Sequence, residues 1–169
     1  MKTVAAWLVA TSLLSAQAQA SDRPTCLSDA EFSDVILLMA PEALKSMSEQ
    51  CKGSLTRGQV LGNPDSLAIK NFAAASADAW PRVLPALARF ASKKDGKLSE
   101  TEATLFRSIF LTVTQQQTKG LIKKPEDCQA ADRILKLAEP LPPQNLAGII
   151  IEVARMGKQK DSDLLCKRD

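Results

Sequence analysis

The chain has 169 residues, a formal net charge of +3, four cysteines, and neither histidine nor tyrosine. Without histidine, a Ser-His-Asp triad, a Cys-His pair and an HExxH zinc site are excluded for this chain by itself. The small net charge gives no reason to expect nucleic acid or an anionic lipid surface as a partner. Composition therefore argues against the commonest hydrolase chemistries and leaves a binding or structural role open.

Residues 1–20 have the form of a secretory signal peptide. Lys2 supplies a positive start, an apolar run covers 4–14, and Ala18-Gln19-Ala20 provides small residues at the cleavage point. The apolar run is too short to cross a bilayer and no stop-transfer segment follows, so we expect no stable membrane anchor. We expect residues 21–169 to form a single exported domain, located in the periplasm or secreted.

The four cysteines, Cys26, Cys51, Cys128 and Cys166, all follow this leader. An even number of cysteines in an exported chain predicts two disulfides, and the spacing fits neither a CxxC redox motif nor a zinc cluster. Three pairings are possible, and sequence by itself does not select one. We favour Cys26–Cys51 with Cys128–Cys166, because each bond would then close the open end of a helical hairpin.

Helix signals begin directly after the first cysteine. Ser28 and Glu31 form a capping box, which predicts the start of a first helix. Pro41 is expected to end that helix, because the residue before a proline is driven out of helical geometry. A second helix should then run from Pro41 to about Cys51, with a connecting loop over 53–63.

Prolines also divide the next helical segment. An alanine-rich helix is predicted from Ser66 to Ala79, after an Asn-Pro start signal. Pro81 and Pro85 are expected either to kink this helix or to start a new short one.

The second half of the chain predicts three more helices. One opens at the capping box of Ser99 and Glu102 and stops at Gly120, the next begins at Pro125, and the last covers about 144–156. Large apolar residues at helical spacing are expected to face the core: Phe106, Ile109, Phe110, Val113, Ile134, Leu135, Leu146, Ile149, Ile150 and Val153. No strand pair is predicted. The fold class is therefore all-α, a compact bundle of about six helices with two disulfides and a polar tail from about residue 158.

One segment resembles part of a calcium-binding loop. The second half of 91–102 matches the EF-hand pattern, but Ala91 and Lys93 stand where the first and third oxygen ligands belong. Helix capping accounts for Ser99 and Glu102 without a metal. We therefore expect neither a metal nor a cofactor.

Paired carboxylates are the acid–base chemistry that remains to a chain without histidine. The candidate pairs are Glu31 with Asp34, Glu100 with Glu102, and Asp161 with Asp163. Helix N-termini favour acidic residues and explain the first two pairs, while the third lies in the polar tail. No catalytic residue is assigned, and a small carboxylate-dependent hydrolase of cell-wall glycans is kept as the alternative function.

Two features are candidates for an interface with another protein. One is Trp80, since tryptophan is a frequent interface anchor. The other is a proline-rich turn, which could dock in extended form or simply connect two helices; its candidate contact residues are Pro140, Leu141, Pro142, Pro143 and Asn145.

Two stretches resemble small secreted helical proteins of bacteria: Cys26–Glu31 running on to Cys51, and Asp127-Cys128 running on through Glu139–Asn145. The resemblance implies structural motifs and no catalytic residues. The overall design is also similar in architecture to immunity proteins that neutralise periplasmic toxins. We therefore expect a non-enzymatic protein-binding domain, such as an immunity or inhibitor protein, with an envelope structural or stress role as a further alternative. The sequence does not indicate an oligomeric state.

Overall fold

Five helices are present in the computed structural model, which describes residues 26–91, 96–156 and 164–167. They are α1 (Asp29–Gln50), α2 (Leu67–Phe90), α3 (Glu100–Thr118), α4 (Pro125–Ala138) and α5 (Pro143–Met156). No strand occurs within the described ranges, where extended pairing is limited to the isolated bridges Leu27–Leu165 and Lys52–Leu55. The all-α prediction is confirmed, with five helices in place of about six. The predicted leader, and residues 158–163 and 168–169 of the predicted tail, lie outside the described residues.

The helix count differs because three prolines lie inside helices that they were expected to break: Pro41 in α1, and Pro81 and Pro85 in α2. An interior proline costs roughly 3 kcal/mol, since it removes an N–H donor and crowds the carbonyl four residues earlier. Burial on both sides of Pro41 opposes this cost, with Leu37 1% and Leu44 5% exposed. Ser76 of α2 also donates to the Leu38 carbonyl at 3.3 Å, beside the Leu37 carbonyl that loses its helical donor.

The two prolines of α2 share its outer face. Pro81 and Pro85 are both exposed and lie four residues apart, so the carbonyls that they leave without donors can be hydrated. The inner face of the same turns is buried, with Val83 0% and Leu87 5% exposed. The predicted break was wrong because packing of this inner face outweighs the local cost of proline.

Helix α1 is central, since α2, α3 and α5 all pack against it. Helix α2 runs antiparallel to α1, and Arg89 near its end pairs with Glu31 in the first turn of α1. One turn further along α1, Asp34 pairs with Arg82 of α2 at 2.7 Å. These two ion pairs fix the register of the α1–α2 hairpin.

The other two neighbours of α1 run in opposite directions. Helix α3 is parallel to α1, because the Gln50 amide at the end of α1 donates to the Thr118 carbonyl at the end of α3, at 3.2 Å. Helix α5 is antiparallel to α1, because Arg155 in its last turn pairs with Asp29 in the first turn of α1. Both helices are therefore anchored to α1.

Both disulfides are present, but the favoured pairing was wrong: the bonds are Cys26–Cys166 and Cys51–Cys128. Cys26 and Cys51 flank α1, which has 22 residues and at 1.5 Å per residue extends over roughly 33 Å. A disulfide cannot join Cα atoms more than about 7 Å apart. The pairing was wrong for the same reason as the helix count, because α1 is one continuous helix and not a hairpin.

The start of α1 is held by a charged cluster around Glu31. Its carboxylate accepts from the Ser28 backbone N–H at 2.9 Å, as the predicted capping box requires, and from Arg89 Nη1 at 2.6 Å and Nη2 at 3.0 Å. The Arg89 guanidinium is the main cause that lowers the pKa of Glu31 from 4.5 to about 2. The second predicted capping box, at Ser99 and Glu102, is also present.

Acid should weaken this cluster. Because the pKa of Glu31 is lower in the folded chain, its stabilising effect is complete above pH 4.5 and is lost as the pH falls toward about 2. We expect Glu31→Gln to lower the free energy of unfolding near neutral pH. The further decrease of this free energy in acid should be smaller in the variant than in the wild type. Urea unfolding at about pH 7 and about pH 3 measures both effects. Glu49→Gln, at an exposed position of the same helix, should keep the acid sensitivity of the wild type, and equal sensitivity of Glu31→Gln would contradict the assignment.

The continuity of α2 can be tested at Pro81. If the helix runs through this residue, Pro81→Ala restores an N–H donor and should raise the free energy of unfolding by about 1–3 kcal/mol. Pro125→Ala is the matched control, because Pro125 is the first residue of α4, a position that suits proline. Loss of stability in Pro81→Ala, measured by urea unfolding, would instead place a helix boundary at Pro81.

Candidate functional site

An apolar groove opens between α3 and α5, above α1. Its floor consists of half-buried residues that share one face of α1 at helical spacing: Ile36, Met39, Ala40 and Ala43. At one end the groove meets the buried cluster around Cys51–Cys128, through Leu44, Phe72 and Leu135. The two alanines keep the floor low, because they add little side-chain volume between the flanking helices.

The walls of the groove come from α3 and α5. Helix α3 contributes Thr114, Gln117 and Thr118, and α5 contributes Ala147 and Ile150. The volume of this open groove is about 330 Å³, at the lower end of the range for ligand pockets. No charged side chain is among the groove residues that the structure describes. The site can therefore take apolar groups, with the exposed Gln117 amide at the α3 side to accept or donate hydrogen bonds. The buried Thr114 and Thr118 hydroxyls already donate to the Phe110 and Thr114 carbonyls.

The helix surfaces that border the groove carry little charge. No charged residue occurs from Ser108 to Thr118 of α3, although most of these residues are exposed. Helix α5 likewise has no charged residue from Pro143 to Ile151, where four of the nine residues are exposed. Exposed helix faces normally carry charged residues, whereas the centres of protein interfaces are depleted of them. The composition of these two walls therefore resembles that of a surface that is covered by a partner.

Several large apolar residues that were expected in the core are exposed on these two helices. They are between 43% and 57% exposed: Ile109 and Val113 on α3, and Ile149, Ile150 and Val153 on α5. Helical spacing identifies an apolar row but not what covers it, and this is why the prediction was wrong. Ile109 and Val113 lie in one row with Gln117 of the groove wall. They extend the apolar surface of the groove along α3.

Of the interface residues predicted from sequence, Trp80 lies away from the groove. It is half-buried on α2, packs against the core cluster that contains Val83, and lies under the Arg107 guanidinium of α3 at 5.2 Å from the ring centroid. This position is a core contact between α2 and α3 with a cation–π interaction at its edge. Its use as an interface anchor stays a prediction.

The predicted turn connects α4 to α5. Pro140, Leu141, Pro142 and Asn145 are exposed, and Pro143 is the half-buried first residue of α5. Ile134 on α4, expected to be buried, is 66% exposed, and with Leu137 and Leu141 it forms an apolar row at one edge of α4 and the turn. The turn lies beside the first turns of α2, whereas Trp80 follows about two helical turns later. The structure does not bring these two predicted features together.

The first candidate carboxylate pair is engaged in ion pairs. Asp34 accepts from Arg82 Nη2 at 2.7 Å and from Arg82 Nε at 3.0 Å, and Glu31 is held by Arg89. A catalytic acid needs a raised pKa, whereas Arg89 lowers the pKa of Glu31 to about 2. The pair therefore has a structural role.

The second candidate pair gives no better acid–base site. Glu102 caps α3, and Glu100 is exposed in the same first turn. Asp132, which is 5% exposed and was not singled out from the sequence, accepts from the Leu61 backbone N–H at 2.8 Å and so fixes the loop before α2 to α4. Asp161 and Asp163 lie outside the described residues.

Metal binding and membrane insertion find no support in the parts of the chain that are described. No group of three or more Cys, Asp or Glu side chains there could hold a metal ion. No helix in those parts is both long and apolar enough to cross a bilayer. Residues 92–95 of the EF-hand-like segment lie outside the described residues, and the capping box at its end is formed as predicted.

Comparison with protein-family models, curated proteins and solved structures finds no match to this chain. The similarity to small secreted helical proteins and to immunity proteins therefore stays a prediction.

Proposed function

We propose that this protein is a non-enzymatic protein-binding domain, and that the groove between α3 and α5 receives the apolar face of a helix from a partner protein. The observation that carries the proposal is an apolar groove bordered by exposed helix surfaces without charge. Helix-in-groove recognition uses this chemistry, with apolar anchors at positions i, i+3 or i+4, and i+7 of the bound helix.

The dimensions of the groove suit two turns of helix. Its floor extends from Ile36 to Ala43, a distance of roughly 10 Å along the axis of α1. Helices pack with axes about 8–10 Å apart, and small residues at the contact favour the closer distances. A helix laid on Ala40 and Ala43 would also contact Val113 of α3 and Ile150 of α5, whose exposed apolar surface it would cover.

The position of the disulfides supports an exported binding protein. Both bonds lie at the ends of α1, and disulfides persist in oxidising compartments such as the periplasm. A rigid scaffold lowers the entropic cost of binding. The finer form of the proposal is an immunity or inhibitor protein in the periplasm, which would use the groove to hold a helix of a toxin.

The alternative functions have less support. A glycan hydrolase requires two free carboxyl groups in a cleft, and the apolar groove contains none among its described residues. A separate polar cleft of about 400 Å³ contains Asp65, Asp132 and Glu139, but Asp65 pairs with Lys70 and Asp132 accepts from the Leu61 backbone N–H. A purely structural envelope role does not explain why the walls of α3 and α5 lack charged residues. The observations on the described residues therefore favour a binding role.

Filling the groove should weaken binding without unfolding the protein. Ala43 is half-buried on the groove floor, so Ala43→Leu places a branched side chain where the partner helix would lie. We expect affinity for the partner to fall at least about tenfold, which corresponds to about 1.4 kcal/mol. Ala74→Leu, at an exposed position of α2, makes the same substitution away from the groove and should bind like the wild type.

The oxidised mature protein and both variants would serve as baits for brief crosslinking in an envelope fraction, read by mass spectrometry. A protein captured by wild type and Ala74→Leu but lost with Ala43→Leu is the groove partner, and calorimetry with that purified protein gives the affinities. Identification of the partner as a toxic hydrolase would support the immunity form. Equal capture by all three baits would contradict the proposed site. Release of sugars from cell-wall glycan, abolished by a carboxylate substitution, would instead establish the hydrolase alternative.

A further inference from the structure

The last described residues of the chain form a strap across the start of α1. This strap, 164–167, is bridged to Leu27: the Leu27 N–H donates to the Leu164 carbonyl at 2.6 Å, and the Cys166 N–H donates to the Leu27 carbonyl at 2.9 Å. The Cys26–Cys166 disulfide adds a covalent bond at the same place. Chain ends that lack such ties are commonly poorly ordered.

The strap also holds the end of α5. Arg155, in the last turn of α5, donates from Nη2 to the Cys166 carbonyl at 3.1 Å and from the same nitrogen to the Asp29 carboxylate. The strap, the first turn of α1 and the last turn of α5 therefore meet around one guanidinium. Because α5 forms one wall of the groove, this junction lies at the end of that wall.

The two disulfides differ in burial. Cys51 and Cys128 are each 1% exposed and belong to a core cluster, whereas Cys26 and Cys166 are half-buried at the ends of the described chain. Disulfide exchange requires a thiolate to reach a sulfur atom, so access controls its rate. A reductant should therefore reach Cys26–Cys166 before Cys51–Cys128.

We infer that the Cys26–Cys166 disulfide is a redox-sensitive latch on α5. A dithiol reductant attacks one sulfur of the bond and forms a mixed disulfide, while the other sulfur leaves as a thiolate. The second thiol of the reductant then attacks the mixed disulfide, which releases the second protein thiol and leaves an oxidised, cyclic reductant. The strap is then held by hydrogen bonds and the Arg155 contacts, and the end of α5 loosens. The consequence for binding rests on the proposed function, since loosening this wall should lower affinity for the helix in the groove.

The order of reduction and the response of α5 test the latch together. The native protein is titrated with dithiothreitol, free thiols are alkylated, and the two disulfide-linked peptide pairs are quantified by mass spectrometry. We expect Cys26 and Cys166 to be alkylated at dithiothreitol concentrations that leave Cys51–Cys128 intact. At those concentrations, hydrogen exchange across 143–156 should accelerate by about tenfold or more, with α1 and α2 unchanged. Simultaneous reduction of both bonds, or unchanged exchange in α5, would overturn the inference.

A pair of variants separates the latch from a general loss of stability. Cys26→Ser with Cys166→Ser should show the fast exchange of α5 without reductant, whereas Cys51→Ser with Cys128→Ser should accelerate exchange in α4 and leave the α5 end protected. Fast hydrogen exchange of α5 in both double variants would overturn the latch. If a variant does not fold, the exchange of α5 in the partly reduced wild type tests the latch instead. Exchange needs no partner, so a groove that binds nothing would refute the proposed function and leave the latch standing.

Discussion

The packing of α1 on three sides is the constraint on which the rest of the structure depends. Helices α2, α3 and α5 each attach to it, and it remains one helix although Pro41 removes a hydrogen bond in its middle. Because α3 and α5 attach to different flanks of α1, the face between them stays open. Ala40 and Ala43 keep that face low, so the space between the two helices becomes a groove.

The ends of α1 are the points where the fold is made rigid. At its start, Glu31 with Arg89, Asp29 with Arg155, and Cys26–Cys166 tie α2, α5 and the strap to one short segment. At its end, Cys51–Cys128 attaches α4. The Gln50 amide, at the same end, donates to the Thr118 carbonyl of α3. Both walls of the groove are therefore attached to α1, and such preorganisation favours binding because less entropy is lost when the partner arrives.

Local signals predicted what depends on a few neighbouring residues. The capping box of Ser28 with Glu31 could be read from the sequence because both partners lie within one turn. Pro41 was misread because burial of Leu37 and Leu44 outweighs its local cost, and a helix interrupted there made a Cys26–Cys51 bond look possible. The groove could not be foreseen, since the spacing of Ile109 and Val113 shows an apolar row without showing that no helix of this chain covers it. The long uncharged stretch of α3 was a sequence signal that could have pointed to it.

The proposed function requires that a partner covers the groove where the protein works. Carbene footprinting of the protein in the intact cell envelope, compared with the purified protein, tests this most directly. If a partner covers the groove, we expect reduced labelling of 108–118 on α3 and 143–156 on α5, with unchanged labelling on the outer face of α2 around Pro81 and Pro85. Equal labelling of α3 and α5 in the two settings would contradict the proposed function.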